Sequence, residues 1–260
     1  MKAMVFAAGL GTRLRPITDS MPKALVPVCG KPLLYHTVCK LRDAGYDEIV
    51  VNVHHFPEQI RKYLADNDLG VRISISDESA RLLETGGGIK HARGLLLPCD
   101  GPFLVHNVDI VSNLDIPWLR ACTRPDALAT LLVSERRTRR YLLFDDGMRL
   151  VGWTDIESGE VRSPYPGLDV SKCRRYAFAG IHNISPSVFG AFDALDMPER
   201  FPIIDFYLRA CADYPVYGVV ARDLTMVDVG KLESLREAER VCESLLPSCT
   251  TPHQPTQKNS

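Results

Sequence analysis

The chain has 260 residues, of which 31 are Lys or Arg, 32 are Asp or Glu and 45% are hydrophobic. This composition is typical of a folded globular protein and excludes a disordered or fibrous chain. The formal net charge of −1 excludes a general attraction to nucleic acid or to an anionic membrane, so we predict neither as a partner.

The sequence predicts neither a membrane span, nor a secretion signal, nor a site built from clustered cysteines. No run of residues approaches the roughly 18 apolar residues that a membrane span needs. The apolar segment 3–8 is too short for a secretion signal. The eight cysteines are scattered without a C-x-x-C pair, which favours reduced thiols over a zinc site or a disulfide framework. We therefore expect a cytoplasmic protein.

The first half of the chain alternates strand-like and helix-like segments. Strands are predicted at residues 4–7, 48–53, 71–76 and 103–106, and helices at 32–44, 57–65 and 89–95. This alternation predicts a Rossmann-like α/β fold with a doubly wound, mostly parallel sheet. Because such sheets bind ligands beyond the carboxyl ends of their strands, we expect functional residues after positions 7, 53, 76 and 106.

The second half is less regular. Strands are predicted at 127–134 and 177–184, a hairpin at 141–144 and 148–153, and helices at 203–212 and 231–246. Residues 155–172 are predicted to form an exposed excursion, and 247–260 a disordered tail. Since no linker divides the chain, we predict a single domain over residues 1–246.

A glycine-rich segment follows the first predicted strand. Gly9 and Gly11 allow the backbone to turn sharply and to bring N–H groups close to an anion. Arg13 adds a bidentate donor that matches phosphate oxygens, and Lys23 adds a second, compact cation. The segment therefore predicts a polyphosphate site.

Established phosphate motifs fit this segment poorly. The Walker pattern has no counterpart here. The dinucleotide pattern G-x-G-x-x-G has Leu14 in place of its third glycine, and no acidic residue ends the second predicted strand. For Gly9 and Gly11 alone, a plain glycine turn remains the alternative.

The longer pattern G-x-G-T-R-x-x-P-x-T followed by P-K-x-x-x-P-V resembles the signature of the sugar-1-phosphate nucleotidyltransferases. The matching residues are Gly9, Gly11, Thr12, Arg13, Pro16, Thr18, Pro22, Lys23, Pro27 and Val28. Similar segments follow in order at 30–33, 83–89, 107–109 and 227–230. The resemblance covers about residues 1–240 and is nearest to short members that transfer uridylyl groups to N-acetylmuramate 1-phosphate or guanylyl groups to mannose or heptose 1-phosphate.

The resemblance implies that a sugar-1-phosphate oxygen attacks the α-phosphorus of a nucleoside triphosphate and that pyrophosphate leaves. It implies that the backbone of Leu10, Gly11 and Thr12 cradles the triphosphate. Arg13 would hold the β- and γ-phosphates, and Lys23 would lie near the α-phosphate. Such cations are needed because two unit charges about 4 Å apart repel by ~4 kcal/mol near a protein surface.

The resemblance also implies a metal and a sugar site. Asp109 and Asp228 would bind Mg²⁺, a hard ion that prefers oxygen ligands. Asn107 and Gly180 would contact the sugar. The alternatives are strand-end caps for the two aspartates, a turn for the asparagine and a core strand for the glycine.

For the nucleobase, the resemblance implies contacts from four consecutive residues, Glu84, Thr85, Gly86 and Gly87. The glycines are predicted to open the helix at 89–95, where a flexible loop is the alternative. The domain would then comprise a nucleotide-binding half, residues 1–125, and a sugar-binding half, residues 126–246.

One family feature is missing. Longer relatives carry a Glu-Lys pair whose lysine meets the sugar phosphate, and this chain has none in its second half. The substitute cations to consider are Lys172, Arg174, Arg175 and Arg140. The basic run 136–140 is interpreted as a solvated face or an anion contact at the sugar site, since no aromatic residues are interleaved for nucleic acid.

The predicted substrates are thus a nucleoside triphosphate and a sugar 1-phosphate, used by a monomer or a small homo-oligomer. Two alternative functions remain open at this point. One is a cytidylyltransferase for phosphocholine or a similar small phosphate, and the other is a non-catalytic nucleotide-sensing subunit. The sequence leaves the choice of base and of sugar open.

Overall fold

A computed structural model of the chain describes residues 1–245, so the tail predicted at 247–260 lies outside the described residues. The strands are β1 (Lys2–Phe6), β2 (Pro27–Val28), β3 (Lys31–Pro32), β4 (Glu48–Val53), β5 (Arg72–Asp77), β6 (Phe103–Asn107), β7 (Ile110–Ser112), β8 (Ala129–Ser134), β9 (Arg140–Phe144), β10 (Leu150–Asp155), β11 (Val161–Arg162), β12 (Arg174–Ile184), β13 (Val216–Val220) and β14 (Met226–Asp228). The α-helices are α1 (Leu33–Asp43), α2 (Pro57–Asp66), α3 (Glu84–His91), α4 (Arg93–Leu96), α5 (Ile116–Ala121), α6 (Val188–Ala194), α7 (Ile203–Ala210) and α8 (Leu232–Leu245). None of these helices has the length and apolar character that a bilayer crossing requires.

The central sheet runs in the order β11-β10-β9-β12-β6-β1-β4-β5, with β8 paired to β12 and β13 paired to β8. Strands β6, β1, β4 and β5 are parallel. Strands β12, β9 and β10 are antiparallel to their neighbours. The predicted α/β fold is confirmed, with the parallel part in the first half and an antiparallel extension from the second. The predicted hairpin is confirmed as β9–β10.

Both faces of the sheet are covered by apolar side chains. In β1, Ala3 and Val5 face one hydrophobic core while Met4 faces the other, because successive strand residues point to opposite faces. Residues of α1, α5 and α8 pack in the first core, and residues of α3, α6 and α7 pack in the second. This arrangement explains why the predicted strand is a continuous apolar run.

A small two-stranded ladder brings distant acidic residues together. Strand β14 pairs antiparallel with β7, and this register places Asp228 opposite Ile110. Asp109 immediately precedes β7, and the Val229 N–H donates to the Asp109 carbonyl at 2.8 Å. The pairing of β7 with β14 therefore positions both predicted metal ligands at the end of β6.

The segment 155–172, predicted as an exposed excursion, is in part built into the sheet. Asp155 ends β10, is only 3% exposed, and accepts hydrogen bonds from Arg139 Nε at 2.6 and 2.8 Å. Strand β11 then pairs with β10. Residues 156–161 are exposed as predicted, and the prediction fails at Asp155 because the pairing of this buried carboxylate with Arg139 leaves no hydrophobic pattern in the sequence.

The glycines at 86 and 87 lie inside α3 and do not open a helix at residue 89. Their N–H groups both donate to the Phe201 carbonyl, at 2.9 and 3.1 Å, and the role of these glycines toward a nucleobase stays a prediction. A Cβ on Gly86 would overlap the Phe201 ring, and one on Gly87 would overlap the Glu199 carbonyl oxygen. Close packing against 199–201 thus overrides the low helix propensity of glycine.

We predict that Gly87→Ala destabilises the fold and that Gly190→Ala does not. The new methyl at 87 meets backbone, so the free energy of unfolding should fall by about 1–3 kcal/mol. Gly190 is exposed in α6 with open space around it, so alanine there should stabilise by about 0.5–1 kcal/mol. Urea unfolding of both variants measures the difference. Equal stabilities would contradict the close contact at α3.

Candidate active site

A cavity of about 560 Å³ opens at the carboxyl ends of β1, β4 and β6. The predicted site residues on its wall are Leu10, Gly11, Thr12, Arg13, Lys23, Glu84, Thr85, Asn107 and Asp109. The wall also includes Asn52, Glu78 and Gly230, which the sequence analysis did not select. The cavity thus lies where a doubly wound sheet is expected to bind its ligand.

The glycine loop after β1 is shaped to present N–H groups. Gly11 has φ +63°, and its carbonyl accepts hydrogen bonds from Leu14 N and Thr18 Oγ1, both at 2.8 Å. Within residues 1–245, the N–H groups of Leu10, Gly11 and Thr12 donate to no protein acceptor. Free N–H groups on a turn at a cavity wall form a site for an anion.

An ion pair connects the glycine loop to β6. Lys23 is 8% exposed and its Nζ pairs with Asp109 Oδ2. The lysine begins a short 3-10 turn, Lys23–Leu25, and the aspartate lies two residues after the end of β6. The cation is thereby held at the ends of the parallel strands, where a phosphate bound to the glycine loop would reach it.

Asp228 joins the same group of charges through Gly230. A Cβ on Gly230 would lie 3.0 Å from Arg13 Nη2 and 3.0 Å from Asp228 Oδ1, so both groups flank this glycine. Burial raises the pKa of Asp228, and the negative charge of Asp109 raises it further, while Lys23 and Arg13 lower it. Two carboxylates and two cations therefore face each other.

The two residues predicted to contact the sugar touch one another. Gly180 has φ +74°, and a Cβ there would lie 2.6 Å from Asn107 Nδ2. Only glycine allows β12 to pass so close to the amide. Asn107 lines the cavity, and its amide lies beside Gly180 of β12.

Glu84 and Thr85 form the opposite wall, and both side chains are already bonded. Glu84 Oε1 accepts from Arg200 Nε at 3.0 Å and Nη2 at 2.8 Å. Thr85 Oγ1 accepts from the Ile203 N–H at 2.8 Å. This wall is therefore held in place by the segment that precedes and begins α7, and its role toward a base stays a prediction.

Three of the four candidate cations for a sugar phosphate are paired with carboxylates. The pairs are Lys172–Asp169 at 3.5 Å, Arg174–Asp146 at 3.4 Å and Arg140–Asp155 at 3.7 Å. The fourth, Arg175, stays a candidate.

Arg136 is a further cation, which the sequence indicates only as one member of the basic run 136–140. Its Nη2 donates to the Phe178 carbonyl at 3.2 Å, two residues before Gly180. Its charge also lowers the pKa of Asp228. Among the described residues it pairs with no carboxylate. Arg136 thus lies near the predicted sugar residue Gly180 without itself lining the cavity.

Asn52 and Glu78 were also missed, and each is only 2% exposed. Asn52 Oδ1 accepts from the N–H groups of Ala7 at 2.7 Å and Ala8 at 3.3 Å. Asn52 Nδ2 donates to Glu78 Oε1 at 2.7 Å, and the Leu83 N–H donates to Glu78 Oε2 at 3.2 Å. Burial raises the pKa of Glu78, and both of these hydrogen bonds lower it. The sequence signal for Asn52 is a polar residue near the end of an apolar strand.

Comparisons with known proteins show the family to which the chain belongs. Residues 2–140 match the family model described as nucleotidyl transferase. The N-acetylmuramate alpha-1-phosphate uridylyltransferase of Caulobacter vibrioides is 38% identical over 232 residues, which span 86% of this chain and 90% of that protein. The catalytic subunit beta of mannose-1-phosphate guanylyltransferase from Xenopus tropicalis is 41% identical over 44% of this chain and 32% of that protein.

Solved structures share the fold at low identity. HddC from Yersinia pseudotuberculosis superposes with a TM-score of 0.70 at 20% identity, covering 92% of this chain and 98% of that one. At this identity the likeness concerns the fold alone. The predicted resemblance is confirmed by the family model and the sequence relatives.

We predict that Arg13→Ala weakens the binding of nucleoside triphosphates and that Arg15→Ala does not. Removing a charge-assisted phosphate contact should lower the affinity about 10- to 100-fold. Arg15 lies on the same loop, but its side chain is 67% exposed and pairs with Asp19, so it is the matched control. Calorimetric titration with UTP and GTP measures both. Equal losses would show that the loop binds by charge alone.

Proposed function

Because this chain belongs to the nucleotidyl transferase family and is by class a sugar-1-phosphate nucleotidyltransferase, we propose how its cavity joins a nucleoside triphosphate to a sugar 1-phosphate. One observation carries the proposal. Arg13, Lys23, Asp109 and Asp228 come from separate segments and meet at the end of β6. Two cations and two carboxylates at one anion site suit the joining of two phosphate esters.

The proposed reaction is a substitution at phosphorus. An oxygen of the sugar phosphate forms a bond to the α-phosphorus, and the bond from that phosphorus to the oxygen of the leaving pyrophosphate breaks. The N–H groups of Leu10, Gly11 and Thr12, together with the Arg13 guanidinium, hold the phosphates that leave and stabilise their growing charge. Lys23 lies near the α-phosphate and offsets the repulsion between the two substrates. Catalysis then consists of positioning and charge neutralisation.

We propose that Asp109 and Asp228 bind Mg²⁺. In residues 1–245 no cluster of three or more His, Cys, Asp or Glu side chains could hold a metal, so any ion there would have two protein carboxylates. Such a donor set fits Mg²⁺, which binds through one or two carboxylates and completes its shell with water and substrate phosphates. When bound, the ion would supply positive charge that offsets the negative charge of the phosphates.

For the sugar phosphate we propose Arg136 as the cation that the longer relatives supply as lysine. Three observations support this assignment. The Arg136 guanidinium pairs with no carboxylate of the described residues, it donates a hydrogen bond to the Phe178 carbonyl, and its charge lowers the pKa of Asp228. A planar guanidinium binds phosphate oxygens in pairs. Asn107 and Gly180 would contact the sugar itself.

The nucleotide and the sugar phosphate would bind in different halves of the domain. Residues 1–125 form the nucleotide-binding half, with Glu84 and Thr85 on the base side, and residues 126–246 form the sugar-binding half. The proposed location is the cytoplasm, where nucleoside triphosphates are supplied. The relatives act on sugar 1-phosphates according to their names, which favours this acceptor over phosphocholine.

We predict pyrophosphate release when the protein is given UTP or GTP together with a sugar 1-phosphate and Mg²⁺. A panel of four nucleotides and several sugar phosphates, with phosphocholine included, tests the reaction. Asp109→Asn and Asp228→Asn should each lower kcat by at least about 100-fold. Asp126→Asn is the control, since this exposed carboxylate pairs with Arg124. Tight nucleotide binding without turnover on any acceptor would instead support the sensing subunit.

We predict that Arg136→Ala raises the KM for the sugar phosphate about 10- to 100-fold, since a charged hydrogen bond is lost, and leaves the KM for the nucleotide nearly unchanged. Arg137→Ala is the control, because this neighbour is also exposed and has no ion pair with a described residue. Steady-state kinetics with each substrate varied in turn separates the two constants. A change confined to the nucleotide KM would place Arg136 elsewhere.

A further inference from the structure

The two walls of the nucleotide cavity are connected by one buried pair of side chains. The Asn52 amide oxygen holds the N–H groups of Ala7 and Ala8, at the start of the glycine loop. The Glu78 carboxylate holds the N–H of Leu83, just before α3. The amide and the carboxylate are joined by the 2.7 Å bond between Asn52 Nδ2 and Glu78 Oε1. A continuous chain of hydrogen bonds thus runs from the glycine loop to Leu83, just before the wall that Glu84 and Thr85 form.

The pair is tightly enclosed. Both residues are 2% exposed, and a Cβ on Gly88 would lie 2.7 Å from Glu78 Oε1 and 3.2 Å from Asn52 Nδ2. Glycine at this position therefore allows α3 to close over the pair. Because an unpaired buried polar group is costly, each donor must face an acceptor, and the orientation of both side chains is determined.

We propose that Asn52 and Glu78 are positioning residues that set the glycine loop and the base-side loop at a defined distance from each other. Neither residue would touch the reacting atoms. Asn52 holds the loop that receives the triphosphate, and Glu78 holds the segment that leads into Glu84 and Thr85. The inference rests on the proposed function in one respect, which is that a nucleotide lies between the two walls.

The chemistry of the pair offers a sharp test, because its donor and acceptor can be exchanged. Asn52→Asp places two carboxylates against each other. Glu78→Gln places an amide between two donors, the Leu83 N–H and Asn52 Nδ2, so one contact must fail. In the double variant the new carboxylate at 52 accepts from Ala7, Ala8 and the new amide at 78. That amide still accepts from Leu83, so every bond is restored and only the bond between 52 and 78 has its polarity reversed.

The experiment measures nucleotide affinity by calorimetry, with UTP, GTP, CTP and dTTP each tested on the wild type and the tightest carried forward. Asn52→Asp and Glu78→Gln should each weaken binding about 10- to 100-fold, and the double variant should recover most of this loss. The KM for the sugar phosphate should change little. Binding is measured without acceptor, so turnover is not required.

The matched control is Asn183→Asp. Asn183 is also 2% exposed, and its amide donates to Leu119 O at 3.2 Å and Thr123 Oγ1 at 2.8 Å, with no bond to the glycine loop. It should lower the melting temperature without changing nucleotide affinity. This variant separates a loss of stability from a loss of positioning.

Each outcome decides the matter. If the single variants melt early but bind nucleotide like the wild type, the pair is only a fold element and the proposal is wrong. If the double variant binds no better than the single ones, the contact between 52 and 78 is not what matters, and the proposal is also wrong. Should Asn52→Asp fail to fold, Glu78→Gln and the double variant give the same comparison. A wild type that binds none of the four nucleotides would overturn the proposed function itself.

Discussion

The ion pair between Lys23 and Asp109 is the contact on which the geometry of the site depends. It links the loop after β1 to the end of β6, two adjacent parallel strands. The lysine side chain is 10% exposed and the aspartate 21%, so neither charge is well solvated and each needs the other. The positive charge of Lys23 also offsets part of the effect that Asp109 has on the pKa of Asp228. A second carboxylate can therefore approach the first.

Strand β12 connects this group of charges to the second half of the chain. It is eleven residues long and pairs with β6, β8 and β9. Near its middle, Gly180 passes against Asn107, and Phe178 accepts the hydrogen bond of Arg136. The parts proposed for the sugar are thus fixed to the same sheet as the parts proposed for the nucleotide.

Much of the fold could be predicted because β1, β4 and β6 are buried on both faces and are rich in apolar residues, while β5 alternates polar and apolar residues. The glycine loop could be predicted because its residue order is specific. The start of α3 could not, since contacts with 199–201 offset the low helix propensity of Gly86 and Gly87. Arg136 could not be distinguished from its basic neighbours, because only the fold shows which arginines meet a carboxylate. Local pattern carries no information on such long-range pairing.

The attachment of α3 to residues 199–203 bears on how such enzymes can be recombined. Glu84 and Thr85 are each bonded to side-chain or backbone groups from that segment, and Gly86 and Gly87 are bonded to it as well. The wall that we propose to face the base is therefore assembled from two stretches more than a hundred positions apart. A chimaera that takes only residues 1–125 from a relative would pack the α3 of that relative against residues 199–203 of this chain. To transfer a nucleotide preference from a relative, α3 and residues 199–203 would have to be exchanged together.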